Sequence, residues 1–235
     1  MVKKIRYFTL LPAYFAVLAV FLLLAMGGSR AVTVLSENAP VTDRKVVVID
    51  PGHGGVDGGA TSVTGVLESQ FNLEIALKLN DLMHLLGIDT VMIRETDCSG
   101  YTEGQTIAQK KISDLKQRVR IVNDIPNATL VSIHQNLFVD ERYSGAQVFY
   151  APTDGSQILA KQMQTAFVQS VNPDSNRKSK RADSIYLMQH IHCPGILIEC
   201  GFLSNRQEEA KLRNPEYQKQ LCAVIASVMS TFLNP

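Results

Sequence analysis

Short apolar runs alternate with longer amphipathic segments along most of the chain. The apolar runs predict β-strands at Val46–Ile49, Ile88–Arg94, Ala128–Ile133, Gly145–Tyr150, Ser184–Met188 and Gly195–Glu199. The amphipathic segments predict helices at Ser69–Leu86, Ser113–Asn123, Gly155–Ser170, Gln207–Arg213 and Glu216–Phe232. Strands that alternate with helices indicate an α/β fold, with an open, mostly parallel twisted sheet flanked by helices on both faces.

The N-terminal residues depart from this pattern. Basic residues precede Tyr7–Met26, a charge-free and predominantly apolar stretch. As a helix, twenty residues measure about 30 Å, which matches the hydrocarbon core of a bilayer. Ser29-Arg30-Ala31 also resembles a signal-peptidase site, so residues 1–31 are interpreted as a signal anchor or a signal peptide. Residues 32–44 read as a linker, and residues 45–235 as one exported domain, anchored to the membrane or secreted.

Composition narrows the class of protein. The 235 residues are 46% hydrophobic and 19% charged with a net charge of +1, which is typical of a globular protein and argues against nucleic-acid binding. The basic segment Asn176–Arg181 is accordingly interpreted as a solvated loop. No C-x-x-C pair occurs among Cys98, Cys193, Cys200 and Cys222, so a thiolate metal site is disfavoured and most of the cysteines are expected to be small buried apolar side chains.

Several residues able to bind metal follow predicted strands. His53 stands in a glycine-rich run after the first strand, His134 follows ATLVSI, and Glu199 ends GILIE, while Glu68 precedes a predicted helix. The carboxyl ends of parallel strands meet at one edge of a sheet, so these side chains are expected in one crevice. Two imidazoles and a carboxylate are the ligands of a catalytic zinc with an open position, and a further carboxylate can act as general base. The residues alone leave open a tight turn with a surface histidine.

Other polar residues have weaker claims to a role in the site. Glu74 is expected on an exposed helix face, and His84 within the same helix is interpreted as structural. His190 and His192 share a spacing that zinc sites use, but they do not end a strand as the other histidines do. Asp50 is a candidate acceptor that would orient a ligand imidazole.

Four motifs carry a resemblance to a known family. They are VVVIDPGHGGVDGGA at 46–60, E-x-x-x-N-L at Glu68–Leu73, SIHQN at Ser132–Asn136, and PGILIECGFLSN at Pro194–Asn205. Together they resemble the zinc-dependent N-acetylmuramoyl-L-alanine amidases of bacterial cell walls, in family order over Lys45–Pro235. The segment Arg142–Tyr150 is most similar to the germination-specific amidases of endospore formers.

The resemblance implies a reaction and a set of roles. His53, Glu68 and His134 would bind Zn²⁺, and Glu199 would be the catalytic carboxylate. The substrate would be peptidoglycan of the cell wall or spore cortex, cleaved between N-acetylmuramic acid and L-alanine, with the enzyme facing the wall. The alternatives are a non-catalytic wall-binding protein and a zinc peptidase that trims stem peptides. Whether the chain has a protein partner stays open.

Overall fold

A computed structural model describes residues 44–234. The predicted anchor at Tyr7–Met26 and nearly all of the predicted linker lie outside the described residues. No helix within the described part of the chain has the length and apolar character needed to cross a membrane.

One six-stranded sheet organises the structure, with the strand order β2-β1-β3-β6-β4-β5. All neighbouring strands are parallel except β4, which is antiparallel to β6. This confirms the open, mostly parallel sheet. The strands are β1 Val46–Pro51, β2 Thr90–Met92, β3 Ala128–Asn136, β4 Gln147–Tyr150, β5 Lys180–Arg181 and β6 Gly195–Phe202.

Helices cover both faces of this sheet, as the sequence predicts. They are α1 Glu68–Leu85, α2 Ile107–Asp124, α3 Ser156–Ser170, α4 Tyr186–His190, α5 Arg206–Leu212 and α6 Pro215–Leu233. The larger core lies between the sheet and α1, α3 and α6, and a smaller core lies under α2 and α4. Burial on both sides explains why the central strands are continuous apolar runs rather than alternating ones.

One predicted strand is wrong. Ser184–Met188 was expected to be a strand, but the chain forms the short helix α4 at Tyr186–His190. Leu187 and Met188 are both buried against the smaller core, so a single helical turn satisfies the same apolar pattern. Short apolar runs do not separate helix from strand by periodicity, which is the reason for the error. The basic segment expected to be a loop contributes the edge strand β5.

Two helix starts also differ from prediction. Helix α2 begins at Ile107 because Thr106 and Gln109 form a reciprocal capping box. Helix α1 begins at Glu68, one residue before the predicted start at Ser69, with Leu67 at the N-cap and no side-chain cap.

The four cysteines are free thiols within the described residues. Cys200 and Cys222 are buried, Cys193 is half-buried and Cys98 is exposed, so only two of the four are the small buried side chains that were expected of most of them.

Candidate metal centre

The first three predicted site residues converge at the carboxyl edge of the sheet. One donor atom each from His53, Glu68 and His134 lies within 4.8 Å of the others. Nε2 of His53 is 3.2 Å from Oε2 of Glu68, and Nδ1 of His134 is 2.9 Å from Oε1 of Glu68. The two imidazole rings meet edge to face, with their centroids 4.9 Å apart. Within residues 44–234, this is the one such cluster of His, Cys, Asp and Glu donors.

Two glycines make this approach possible. A Cβ atom on Gly52 would lie 2.1 Å from Nε2 of His134. A Cβ atom on Gly59, whose φ is +69°, would lie 2.6 Å from Oε2 of Glu68 and 2.7 Å from the His53 ring. His53 itself has φ 59°, which is uncommon for a residue with a side chain. The glycine-rich run is therefore needed for the donor atoms to meet.

Asp57 fixes the orientation of the His53 ring. Its Oδ2 lies 2.8 Å from Nδ1 of His53 and 3.1 Å from Nζ of Lys111, which leaves Nε2 of His53 directed at Glu68. Burial lowers the pKa of His53, but the hydrogen bonds to Asp57 and Glu68 outweigh it and raise the pKa to about 9. A cation that binds this imidazole must therefore displace a proton.

The predicted role of Asp50 is wrong. Its carboxylate pairs with Arg118 and accepts a 2.6 Å hydrogen bond from Ser132, not one from an imidazole. Burial raises the pKa of Asp50, but Arg118 and Ser132 outweigh it and lower the pKa below its usual range. Both aspartates belong to the same motif, and the left-handed turn at His53 brings Asp57 back to the ring.

Glu68 is a buried carboxylate held by the backbone. The amides of Ala60 and Gln135 donate to its two oxygens at 3.0 and 3.2 Å. Its position as the first residue of α1 places it at the positive end of the helix. Burial raises the pKa of Glu68, but the hydrogen bonds with His134 and His53 outweigh it and hold the pKa well below its usual range. Glu68 is thus an anionic donor between two imidazoles.

Glu199 lies beside this cluster in a different environment. It pairs in register with His134 on β3 and with Gln147 on β4. Its Oε2 is buried and has no hydrogen-bond partner within the described residues. Burial raises the pKa of Glu199 to about 7, although the His134 imidazole opposes this shift. A carboxyl group with this pKa can both accept and return a proton near neutral pH.

Two buried arginines hold the loop that carries His53. Arg118 donates to the carbonyls of Pro51 at 3.0 Å and His53 at 2.7 Å, and to the carboxylate of Asp114 at 2.7 Å. Arg94 donates to Pro51 at 2.8 Å and to Gly52 at 2.9 Å. Sequence reasoning missed both arginines. The Asp114–Arg118 spacing of one helical turn was the available signal for an ion pair, but nothing local points to the loop.

The remaining candidates lie away from the cluster. Glu74 is exposed and accepts from Gln218, and His84 is exposed and 2.6 Å from Oγ1 of Thr90. His190 ends α4, where its Nδ1 contacts the carbonyl of Tyr186. The cluster of metal-binding donors includes neither His190 nor His192.

Comparison with known proteins places this geometry in context. The family model described as N-acetylmuramoyl-L-alanine amidase matches residues 47–230. The germination-specific N-acetylmuramoyl-L-alanine amidase of Bacillus subtilis is 38% identical over 183 residues, which cover 77% of this chain and 76% of that protein.

Solved structures share the fold. The CwlD amidase from Clostridioides difficile, in complex with the GerS lipoprotein, has a TM-score of 0.77 and 37% identity over 81% of this chain and 98% of that chain. The catalytic domain of CwlV from Bacillus (Paenibacillus) polymyxa has a TM-score of 0.68 and 29% identity, with coverage of 81% and 98%.

Proposed function

The chain belongs to the N-acetylmuramoyl-L-alanine amidase family, and from this premise we propose that His53, Glu68 and His134 hold a zinc ion while Glu199 transfers the proton. As a member of this family, the chain is a hydrolase that acts on peptidoglycan. The bond cleaved joins the lactyl carbonyl of N-acetylmuramic acid to the amino group of L-alanine.

The donor set supports the choice of zinc. Two imidazoles and one carboxylate converge within 4.8 Å, and no thiolate is among them. Three protein donors of this kind match a catalytic zinc, which keeps a fourth position open for substrate or water. Asp57 is hydrogen-bonded to Nδ1 of His53 and so fixes the ring with Nε2 free for the metal, as hydrogen-bond partners of metal-binding histidines commonly do.

Bound zinc would supply Lewis acidity, polarising the scissile carbonyl and acidifying a water molecule. The rest of the chemistry falls to the protein. Glu199 accepts a proton from the attacking water through a carboxylate oxygen, and then gives that proton to the departing nitrogen of L-alanine. Burial raises the pKa of this carboxyl group to about 7 when no metal is bound. The C–O bond to the water oxygen forms first, and the C–N bond then breaks as the nitrogen receives the proton, so that a carboxyl group and a neutral amine result.

The unpartnered oxygen of Glu199 is the observation that carries this proposal. A buried carboxylate without a hydrogen-bond partner costs free energy, since burial disfavours its charged form. A wall-binding protein without turnover would gain nothing from this arrangement. A zinc peptidase would use the same donor residues, and only its reaction products would distinguish it from an amidase.

We place the enzyme outside the cytoplasm, because the peptidoglycan on which this family acts lies there. The similarity to a germination-specific amidase supports a role in maturation of the spore cortex or in germination. Tyr7–Met26 would hold the catalytic domain at the membrane unless it is removed as a signal peptide.

Mass analysis of digested peptidoglycan tests the reaction. We expect muramic acid residues without peptide, together with intact peptides that begin with L-alanine. Shortened peptides still attached to sugar would identify a peptidase. Peptidoglycan that stays uncleaved after incubation with the zinc-loaded protein would refute the catalytic proposal.

A further inference from the structure

A broad groove lies beside β4, the strand that pairs with the Glu199-bearing strand β6. Its volume is about 1090 Å³. Three segments line it: the loop before β4, residues 171–180, and the start of α5. The lining carries six basic side chains against three acidic ones. An open, basic groove suits an extended anionic ligand.

Arg177 is held in place by a backbone carbonyl and two aromatic rings. Its Nε donates to the carbonyl of Ser144 at 3.0 Å. Its guanidinium lies 4.8 Å from the centre of the Phe202 ring and 5.7 Å from that of Tyr143. Such stacking holds a planar guanidinium in place while keeping it charged.

The charge of Arg177 is not neutralised by the protein. Across residues 44–234, no carboxylate lies within ion-pair distance of it. Among the other basic groups of the groove, Arg142 is paired with Asp140 at 2.7 Å and Lys211 lies 3.6 Å from Glu208, whereas Lys178, Lys180 and Arg206 share with Arg177 the lack of an ion pair within the described residues. The two terminal nitrogens of a guanidinium match a carboxylate in a bidentate pair.

A short path connects Arg177 to Glu199. Nη1 of Arg177 lies 3.5 Å from Oε1 of Gln147, and Gln147 is the register partner of Glu199 on the adjacent strand. One strand spacing is about 4.8 Å. Adding the contact at Gln147 puts the guanidinium on the order of 10 Å from the proposed catalytic carboxylate.

We propose that Arg177 anchors a subsite that binds a carboxylate of the peptidoglycan stem peptide. Two to three extended residues span about 7–10 Å, so a side chain or α-carboxylate of the second or third stem residue reaches it from the scissile bond. The groove then receives the peptide that leaves with L-alanine. This inference rests on the proposed function and names the feature of the substrate that the site recognises.

A matched pair of substrates tests the subsite. N-acetylmuramoyl-L-alanyl peptides are made with D-glutamate at the second position and an acidic third residue, or with both extra carboxylates replaced by carboxamides. We expect kcat/KM for the acidic peptide to be roughly 10- to 100-fold higher, the range for charged hydrogen bonds. The Arg177→Gln variant is expected to lose this preference by slowing the acidic peptide alone.

Arg181→Gln is the matched control, because it removes the same charge four residues away. Arg181 is paired with Asp183 and does not line the groove, so this variant is expected to keep the preference. Arg177→Lys keeps the positive charge but cannot form a bidentate pair, so its preference for the acidic peptide is expected to lie between those of the parent and Arg177→Gln. Equal slowing of both peptides by Arg177→Gln would make Arg177 a purely structural residue and overturn the proposal.

Calorimetric titration with the same two peptides separates this inference from the proposed reaction. Binding that depends on both the carboxylates and Arg177 supports the subsite, even where no hydrolysis occurs and the proposed function fails. Hydrolysis with equal binding of the two peptides by the parent protein leaves the amidase intact and refutes the subsite.

Discussion

Replacing Arg118 by methionine is the sharpest test of how the metal-site loop is held. Met has a similar length but supplies none of the guanidinium hydrogen bonds. The change leaves the carboxylates of Asp50 and Asp114 without their shared cation. It also removes the donors to the carbonyls of Pro51 and His53.

The expected loss of stability is large because the pair is buried. The side chains of Arg118 and Asp50 are 4% and 1% exposed. Removing one partner of a buried ion pair costs about 3–5 kcal/mol in the free energy of unfolding. Arg120→Met on the same helix is the control, since Arg120 and Asp124 are 74% and 70% exposed and 3.6 Å apart. That variant is expected to lose about 0.5 kcal/mol or less.

The difference between variant and parent should depend on pH. In the parent protein, the pKa of Asp50 is held below its unfolded value, so this group adds stability that is lost as the pH falls through its folded pKa. Without Arg118, burial dominates and raises the pKa of Asp50 above its unfolded value, so ionisation destabilises the variant as the pH rises. The destabilisation is therefore expected to be larger at pH 7 than at pH 5.

Urea unfolding at both pH values measures these differences in stability. Zinc titration of the folded variant measures whether the loop that carries His53 is still positioned to bind metal. We expect weaker zinc binding by Arg118→Met but not by Arg120→Met, because only the former releases the carbonyl of His53. A loss below about 1 kcal/mol at pH 7 would refute the reasoning. Parent-like zinc affinity in a destabilised variant would show that the arginine supports the fold without positioning His53.

Further predictions concern the site itself and the N-terminus. Glu199→Gln should keep one zinc per chain and lose activity about 10²–10⁴-fold or more, whereas Glu68→Gln should lose both activity and zinc. Metal analysis and rate measurements on both variants test this, and the reverse pattern would show that the two glutamates have each other's role. Asp57→Asn should weaken zinc binding about 10–100-fold in a competition titration, and an unchanged affinity would remove Asp57 from the site. With zinc chelated, the free energy of unfolding of the parent should fall by about 2–3 kcal/mol relative to that of Glu199→Gln as the pH rises from 5 to 8. The reason is that the parent carboxyl group has a pKa of about 7 in the folded protein and near 4.5 in the unfolded chain. Parallel plots of unfolding free energy against pH for the two proteins would contradict this. The full chain should sediment with membranes through Tyr7–Met26, unless its mature form is found soluble and beginning at Val32.

The parts of the site that the sequence predicts depend on local pattern. His53 and His134 each follow an apolar run, and parallel strands necessarily bring such ends together. Glu199 is the register partner of His134 for the same reason. These positions therefore follow from recognising the strands and their parallel order.

The supporting residues do not follow from local pattern. Arg118 meets Asp50 across 68 residues, and only the packing of α2 on the sheet joins them. Asp57, not Asp50, holds the His53 ring because the backbone turns through a left-handed conformation at His53 itself. The apolar pattern does not distinguish helix α4 from a strand, because one helical turn and one short strand would both bury Leu187 and Met188.

Charge balance around the site links the supporting residues to its chemistry. Asp50 and Asp114 are both paired with Arg118, and Asp50 also opposes the lowering of the Arg94 pKa that burial causes. Both arginines also satisfy carbonyls of the loop that carries His53. The buried charge behind the loop is thereby neutralised by groups of the protein alone.

The charge balance differs at the proposed metal site itself. Asp57 is matched by Lys111, but Glu68 and Glu199 have only imidazoles beside them. With both imidazoles neutral, two negative charges remain in a buried site, and a divalent cation offsets both. When the cation is removed, a proton can return to His53, whose pKa is about 9, and the Glu68 carboxylate still raises the pKa of Glu199. The neutral glutamine at position 199 should therefore stabilise the protein most when zinc is absent, and this difference is what separates a metal site from a chance cluster of donors.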